Sequence, residues 1–259
     1  GGVLKQFTGD GVLALFGVPI PHTDPAQQAS DANAAVRCAL AMGRRLVELS
    51  REWKAAGLPA VSMRSGIYTG EVAAAIKKAC DLPLLLFPGS AAQLVPEVDG
   101  VLLLSLVSGR NAQYLIEEHV RAVPFFRRHP PVAAISTAYI LVDGGRVTAV
   151  ESVSQTRPLP ADKPEIAAAH AFAGGMIGMA AVYLDAGSGA EHPVAPAVIR
   201  AVRETVSLPL FVGGGMRSAE QVAAARGAGA DFIVVGTAVE AGGAEAVRAL
   251  VAAVRDGRR

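Results

Sequence analysis

From Leu82 onward the chain alternates short aliphatic runs with helix-like stretches, and this rhythm restricts the fold more than any other feature. The runs fall at about Pro83–Phe87, Gly100–Leu106, Ile135–Val142, Met179–Ala186, Pro209–Gly213 and Phe232–Gly236. Between and after them lie helical patterns at about Ala112–Arg128, Lys163–Ile177, Pro196–Val206, Ala219–Gly229 and Gly243–Asp256. Strands that alternate with helices predict a parallel sheet with right-handed crossovers. Two helix starts carry a polar cap followed by an acid: Asp162-Lys163-Pro164-Glu165 and Ser218-Ala219-Glu220. The link from Phe87 to Gly100, with prolines near both ends, is short for a helical crossover and predicts irregular structure.

Hydrophobic residues make up 51% of the 259, which raises the question of a membrane span. A spanning helix needs about 18 or more apolar residues in a row. Leu82–Phe87, Val101–Val107 and Phe232–Val235 are far shorter and end in Gly, Pro or charge. Strands covered on both faces account for them, so no transmembrane segment is expected. With 24 basic against 23 acidic residues and no long charge run, nothing points to nucleic acid. Cys38 and Cys80 lie far apart, and the five His are scattered, so neither a disulfide framework nor a His-based metal cluster is indicated. A reducing cytoplasm fits this usage. Opening at Gly1 with no signal peptide, the sequence reads as a piece of a longer chain.

The first part differs in character. Phe7–Phe16 reads as a strand and turn with a hairpin signal at Gly9-Asp10-Gly11. A polar loop at Val18–Gln28 follows, then an amphipathic helix at about Ser30–Ala56 with Val36, Leu40, Leu46 and Leu49 near helical spacing. A further strand is expected at Ser62–Thr69.

Three glycine-rich segments sit where successive strands should end: Tyr183-Leu184-Asp185-Ala186-Gly187-Ser188-Gly189, then Gly213-Gly214-Gly215, then Gly236-Thr237. In a (β/α) barrel those ends form the active-site face, and the last βα loops commonly hold a phosphate. Glycine lets backbone N–H groups approach phosphate oxygens, and each following helix turns its positive end toward the anion. A single such segment is often only a tight turn; three in register are harder to explain that way. Ser188 and Thr237 add hydroxyls. Gly187-Ser188-Gly189 is no nucleophile elbow, and Gly213-Gly214-Gly215 lacks the dinucleotide fingerprint. Asp185, Ser188 and His192 share one short segment, which is a poor catalytic triad.

YLDAGSGA at 183–190, VGGGMR at 212–217 and DFIVVGT at 231–237 resemble the geranylgeranylglyceryl and heptaprenylglyceryl phosphate synthases. FPGS at 87–90, SLVSGRN at 105–111 and PADKPEIAAA at 160–169 agree, so the resemblance covers about residues 76–240. It implies a phosphate-binding (β/α)8 TIM-barrel-like fold and a magnesium-dependent transfer. In that transfer a polyprenyl group moves from its diphosphate to the 3-hydroxyl of sn-glycerol 1-phosphate, an ether-lipid precursor step. By the same resemblance Tyr183, Leu184, Asp185, Ala186, Gly187, Ser188, Gly189, Gly214, Gly215, Gly236 and Thr237 hold glycerol phosphate. Tyr183 and Asp185 are the catalytic candidates. Asp185 stands where the family usually has Glu, and Ser108-Gly109 where Asn-Ser is more usual. An apolar groove is expected for the prenyl tail. A cytoplasmic homo-oligomer is expected, with peripheral membrane contact left open.

The Lys and Asp of the family's first strand, and the Ser or Thr of its second, are not found before Leu82. Instead KQFTGDGVLALFG at 5–17, the Ala-rich helix and RSGIYTGEV at 64–72 resemble a class III nucleotidyl cyclase over about residues 1–72. Asp10 matches one of that family's two metal-binding aspartates, or is a hairpin-tip residue. The domains expected are therefore a cyclase-like strand–helix–strand at 1–75, which could fill the first two barrel positions, and a synthase-like barrel at 76–259. Other readings stay open: a phosphate-binding barrel isomerase or lyase, or a non-catalytic signalling protein.

Overall fold

The computed structural model describes residues 3–8, 11–15, nine helical positions between 41 and 55, and 82–256. The chain divides into two compact units, Gly1–Ile76 and Lys77–Arg259. In the first, β1 (Val3–Thr8) pairs antiparallel with β2 (Gly11–Leu15), with Thr8 opposite Gly11. That pairing is the hairpin expected at Gly9-Asp10-Gly11, though Asp10 itself lies outside the described residues. Residues 41, 45, 48–52, 54 and 55 are helical, within the expected helix. An exposed Arg45–Glu48 pair at 2.9 Å spans one turn, and solvent screening keeps its contribution small. The strand expected at Ser62–Thr69 lies outside the described residues. Among those described, β2 pairs with β1 alone.

The second unit holds a six-stranded sheet in the order β3 (Leu85–Leu86), β4 (Gly100–Leu106), β5 (Ala133–Leu141), β6 (Ala181–Asp185), β7 (Leu210–Gly213) and β8 (Phe232–Ile233). Every pair is parallel, and each strand lies beside its successor. The sheet is strongly curled. The Phe87 ring, just past β3, meets Tyr183 of β6 at 4.7 Å between centroids, although β4 and β5 lie between them. In a flat sheet those strands would stand about 14 Å apart. Six barrel strands of a TIM-type architecture are thus present among the described residues, as a curled half-barrel in which β3 and β8 stand at the two ends.

Helices follow the strands: α1 (Glu118–Arg128), α2 (Ala149–Ser154), α3 (Pro164–Met176), α4 (Pro196–Thr205), α5 (Ala219–Gly227) and α6 (Thr237–Asp256). Strand residues alternate between faces. Ile140, Val142, Val182, Leu184, Leu210 and Val212 pack outward against Ala167, Ala168 and Ala171 of α3 and Val198, Ile199 and Val202 of α4. Leu102, Leu106, Tyr139, Leu141, Tyr183 and Phe211 pack on the inner face. Each fully buried aliphatic side chain contributes about 1.5–3 kcal/mol, so the two layers explain why the strands read as unbroken apolar runs.

Several boundaries differ from expectation. Among the described residues β3 and β8 are two residues each, because each pairs with its one described neighbour over two positions. Helix α6 begins at Thr237 rather than Gly243, running through Gly242 and Gly243 despite their low helix propensity. The long helix after β4 opens with a π-helical turn at Gln113–Glu117 before α1. Short α2 carries no periodic signal in the sequence. Ser218 caps α5 as predicted, in a reciprocal capping box with Gln221. At α3 the cap position is Lys163, with Pro164 at the first turn, so Asp162 is not the cap. The link from 87 to 100 is irregular apart from one 3-10 turn at Ala91–Gln93.

Candidate active site

Parallel strands deliver all their C-terminal ends to one edge of the sheet, so the loops after β6, β7 and β8 leave from the same rim. Strand alternation then sorts the YLDA segment. Tyr183 and Asp185 point inward, whereas Leu184 and Ala186 are buried against the helices and can offer only backbone atoms. The loops after β6 and β7 touch backbone to backbone. A methyl built on Gly214 would fall 2.5 Å from Asp185 Oδ1 and 2.6 Å from the Gly187 nitrogen. Gly214 also has φ +80°, a left-handed conformation that any side chain would strain. Val234 N–H donates to Val212 O at 2.8 Å, which holds the run toward Gly236 beside β7. Gly236 itself borders open space and leads directly into α6. The Thr237 side chain lies outside the described residues.

The amides of this rim divide into two sets. Ala186 N–H donates to Gly213 O, and Gly187 N–H to Asp185 Oδ1 at 2.8 Å, so both are spent within the protein. The amides of Ser188, Gly189, Gly214 and Gly215 donate to no protein acceptor among the described residues. These four unspent N–H groups sit on touching loops, with the α6 N-terminus after the neighbouring strand, an arrangement that can donate a set of hydrogen bonds to an anion. Arg217 fastens it from outside. Its guanidinium donates to Glu191 O at 2.8 Å and to Ala190 O at 2.5 Å, bridging the two loops. The sequence showed Arg217 within VGGGMR but gave no sign of this bridging role.

Asp185 is 7% exposed, and both its oxygens are engaged. Tyr139 Oη donates to Oδ2 at 2.5 Å, and Gly187 N–H to Oδ1. Burial pushes the carboxyl above its ordinary range, while those two hydrogen bonds pull back. The Tyr139 hydroxyl is pushed well above its usual value by burial and by the adjacent carboxylate. Tyr183 is raised for the same reasons, burial first, and remains a protonated donor. Its ring packs on Tyr139 at 5.5 Å and on Phe211 at 6.0 Å, with its hydroxyl over Gly213. Tyr139 is the partner that sequence reading missed. His192 is exposed and lies near Glu191; Asp185 takes its hydrogen bonds from Tyr139 and Gly187, so no triad forms.

Beside this carboxylate opens a cavity of about 270 Å³ lined by Phe87, Leu102, Leu104, Tyr114, Tyr139 and Val150, among others. It is almost wholly apolar, with Glu118 and His119 on one wall. Tyr139 belongs to both places: its ring lines the cavity and its hydroxyl holds Asp185. Ser108 and Gly109, the departures from the more usual Asn-Ser, have local roles. Ser108 Oγ accepts from Leu141 N–H at 3.0 Å, and Gly109 sits so close to Thr156 that a side chain would not fit. Among the described residues no group of three His, Cys, Asp or Glu side chains is placed to hold a metal ion. None of their helices is long and apolar enough to cross a membrane.

Comparison with known proteins follows the same lines. Residues 60–254 match the PcrB family. The chain is 48% identical over 170 residues to geranylgeranylglyceryl phosphate synthase of Spirosoma linguale, covering 66% of this chain and 68% of that protein. It is 42% identical over 182 residues to the same-named protein of Korarchaeum cryptofilum, covering 70% and 74%. Among solved structures it is similar to (S)-3-O-geranylgeranylglyceryl phosphate synthase from Thermoplasma acidophilum in complex with its substrate sn-glycerol-1-phosphate. There the TM-score is 0.69 at 28% identity, over 83% of this chain and 88% of that one.

Proposed function

The chain belongs to the PcrB family, and from that premise we propose that it transfers a polyprenyl group from its diphosphate to the 3-hydroxyl of sn-glycerol 1-phosphate. The observation that carries this reading is the junction at Tyr139. One side chain joins an apolar cavity to a buried carboxylate, which in turn sits beneath a cradle of unspent amides. Such a junction suits an acceptor with a phosphate at one end and a donor with a long hydrocarbon tail.

In the reaction, the 3-hydroxyl oxygen bonds to C1 of the prenyl chain as the allylic C–O bond to diphosphate breaks. The hydroxyl proton passes to Asp185, and diphosphate leaves with the bonding pair. Burial makes Asp185 a stronger base than an exposed carboxylate, which favours accepting that proton. The amides of Ser188, Gly189, Gly214 and Gly215 would hold the acceptor phosphate, assisted by the Gly236-Thr237 start of α6. Tyr183, protonated and rigidly packed, would present its hydroxyl to the acceptor.

Magnesium, which the family resemblance implies, finds no ligand set among the described residues. Asp185 has both oxygens engaged, and the candidate Asp10 lies outside them. Magnesium is therefore proposed only as a companion of the diphosphate, and no step is routed through it. A cytoplasmic homo-oligomer belongs to the same reading. So does the cyclase resemblance of residues 1–72, whose consequence for activity is separate from the chemistry of the rim.

The test is direct. The protein, magnesium and sn-glycerol 1-phosphate are incubated with prenyl diphosphates of several lengths, and products are weighed by mass spectrometry. A prenylglyceryl phosphate is expected for at least one length. Binding of sugar phosphates in preference to glycerol 1-phosphate, with no ether product, would turn the reading toward an isomerase or lyase of similar fold.

A further inference from the structure

One buried polar group at the rim has no use in the scheme above. Thr148, between β5 and α2, is 6% exposed, and its hydroxyl has no hydrogen-bond partner among the described residues. It stands at the N-cap of α2 in extended conformation, the position from which a Thr ordinarily caps its helix, yet its side chain makes no capping bond. Instead it is pressed against the anion loop. A methyl built on Gly187 would lie 2.6 Å from both Thr148 Oγ1 and Cγ2.

The segment that carries Thr148 is itself fastened to that loop. Gly144 O accepts from Glu191 N–H and His192 N–H, each at 2.9 Å, and a methyl on Gly144 would lie 2.6 Å from the Ala190 side chain. The stretch after β5 therefore forms a fourth wall beside the loops after β6 and β7. A hydroxyl buried without a partner is unfavourable, and a site that binds a polar ligand is where such a group is retained.

We propose that Thr148 Oγ1 is a further binding group for the acceptor, hydrogen-bonding an oxygen of a short polyol monophosphate held at Gly187–Gly189. This rests on the glycerol-phosphate reading of the rim. It adds a side-chain hydroxyl, from a loop outside the glycine-rich segments, to the backbone amides of the rim and the Tyr183 hydroxyl.

The experiment compares the wild-type chain with Thr148→Val, which keeps the shape and loses the hydroxyl, and Thr148→Ser, which keeps the hydroxyl. Calorimetric titration with sn-glycerol 1-phosphate should show binding about tenfold weaker for Thr148→Val and within about threefold of wild type for Thr148→Ser. Without ligand, Thr148→Val should melt at or above the wild-type temperature, since it removes a polar atom that the fold does not satisfy. Equal affinity of Thr148→Val and wild type overturns the inference, as does an equal loss in both variants, which would assign the effect to methyl packing. A lower melting temperature of ligand-free Thr148→Val overturns it too, because the hydroxyl would then serve the fold. A wild-type chain that does not bind glycerol 1-phosphate is a different result, and removes the transfer reading itself.

Discussion

The two faces of the curled sheet are built from the same strands and to different ends. Outward, Ile140, Val142, Val182, Leu184, Leu210 and Val212 meet the aliphatic side chains of the helices. Inward, one residue along each strand, Tyr139, Tyr183 and Phe211 form an aromatic layer that ends in a buried acid. Burying a carboxyl is unfavourable unless something repays it, and the outer face contains no such expense. The difference separates a layer that holds the strands together from one that keeps a buried acid, the feature the proposed transfer would use. Changes on the two faces should therefore part company: inner ones should move rates, outer ones should move melting temperatures.

The widest separation is expected at Asp185. Asp185→Ala should lower prenyl transfer by roughly 10²-fold or more, the usual scale for losing a positioned base. Its far-ultraviolet circular dichroism should match wild type. Turnover that is unchanged, at saturating acceptor, would remove Asp185 from the role of base and leave it a loop-fixing residue through Gly187.

On the outer face, Ile140→Ala should cost about 2–5 kcal/mol of stability, because a fully buried side chain leaves a cavity between β5 and the helices. Denaturant melts read that loss. Transfer activity per folded molecule, assayed well below the lowered melting temperature, should stay close to wild type. Comparable losses of stability and of folded-state rate would show that the two layers are not separable.

This division was partly legible in the sequence. The run Gly100–Leu106 became β4 with the expected bounds, because Asp99 closes it on one side and Ser108-Gly109 turns the chain on the other. Glycines at strand ends marked the rim, since left-handed backbone at Gly187, Gly189, Gly214 and Gly215 leaves a compositional trace. Tyr139 left none. Its partnership with Asp185 spans 46 residues and depends on the register that sets Tyr139 beside Tyr183 and Leu141 beside Asp185. A one-residue slip of β5 would turn Tyr139 to the other face and away from Asp185. The π-helical turn after β4 and short α2 were likewise invisible, since tertiary packing rather than periodicity creates them. Helix α6 starts at Thr237, six residues before the expected Gly243, since tertiary context carries it through Gly242 and Gly243 against their low helix propensity.

The smallest expected effect is also the finest probe of the inner face. Tyr139→Phe keeps the ring against the cavity and removes only the hydroxyl that donates to Asp185. That hydrogen bond lowers the Asp185 pKa against the larger upward push of burial, so its loss should raise the pKa further. As the proposed base Asp185 must be ionised to accept a proton, so the acid limb of the wild-type pH profile of kcat/KM should lie above the ordinary carboxylate range. It should move to still higher pH in Tyr139→Phe. For stability the sign is the opposite of the usual aspartate. A carboxyl raised by folding stabilises the fold below its unfolded pKa, and that contribution is lost as pH rises through the folded value. Melting temperature should therefore fall with pH across that interval, and Asp185→Asn should remove this part of the dependence. An acid limb that stays in place when the Tyr139 hydroxyl is deleted would mean that another group sets it, and that the short Tyr139–Asp185 contact holds the loop without tuning the base.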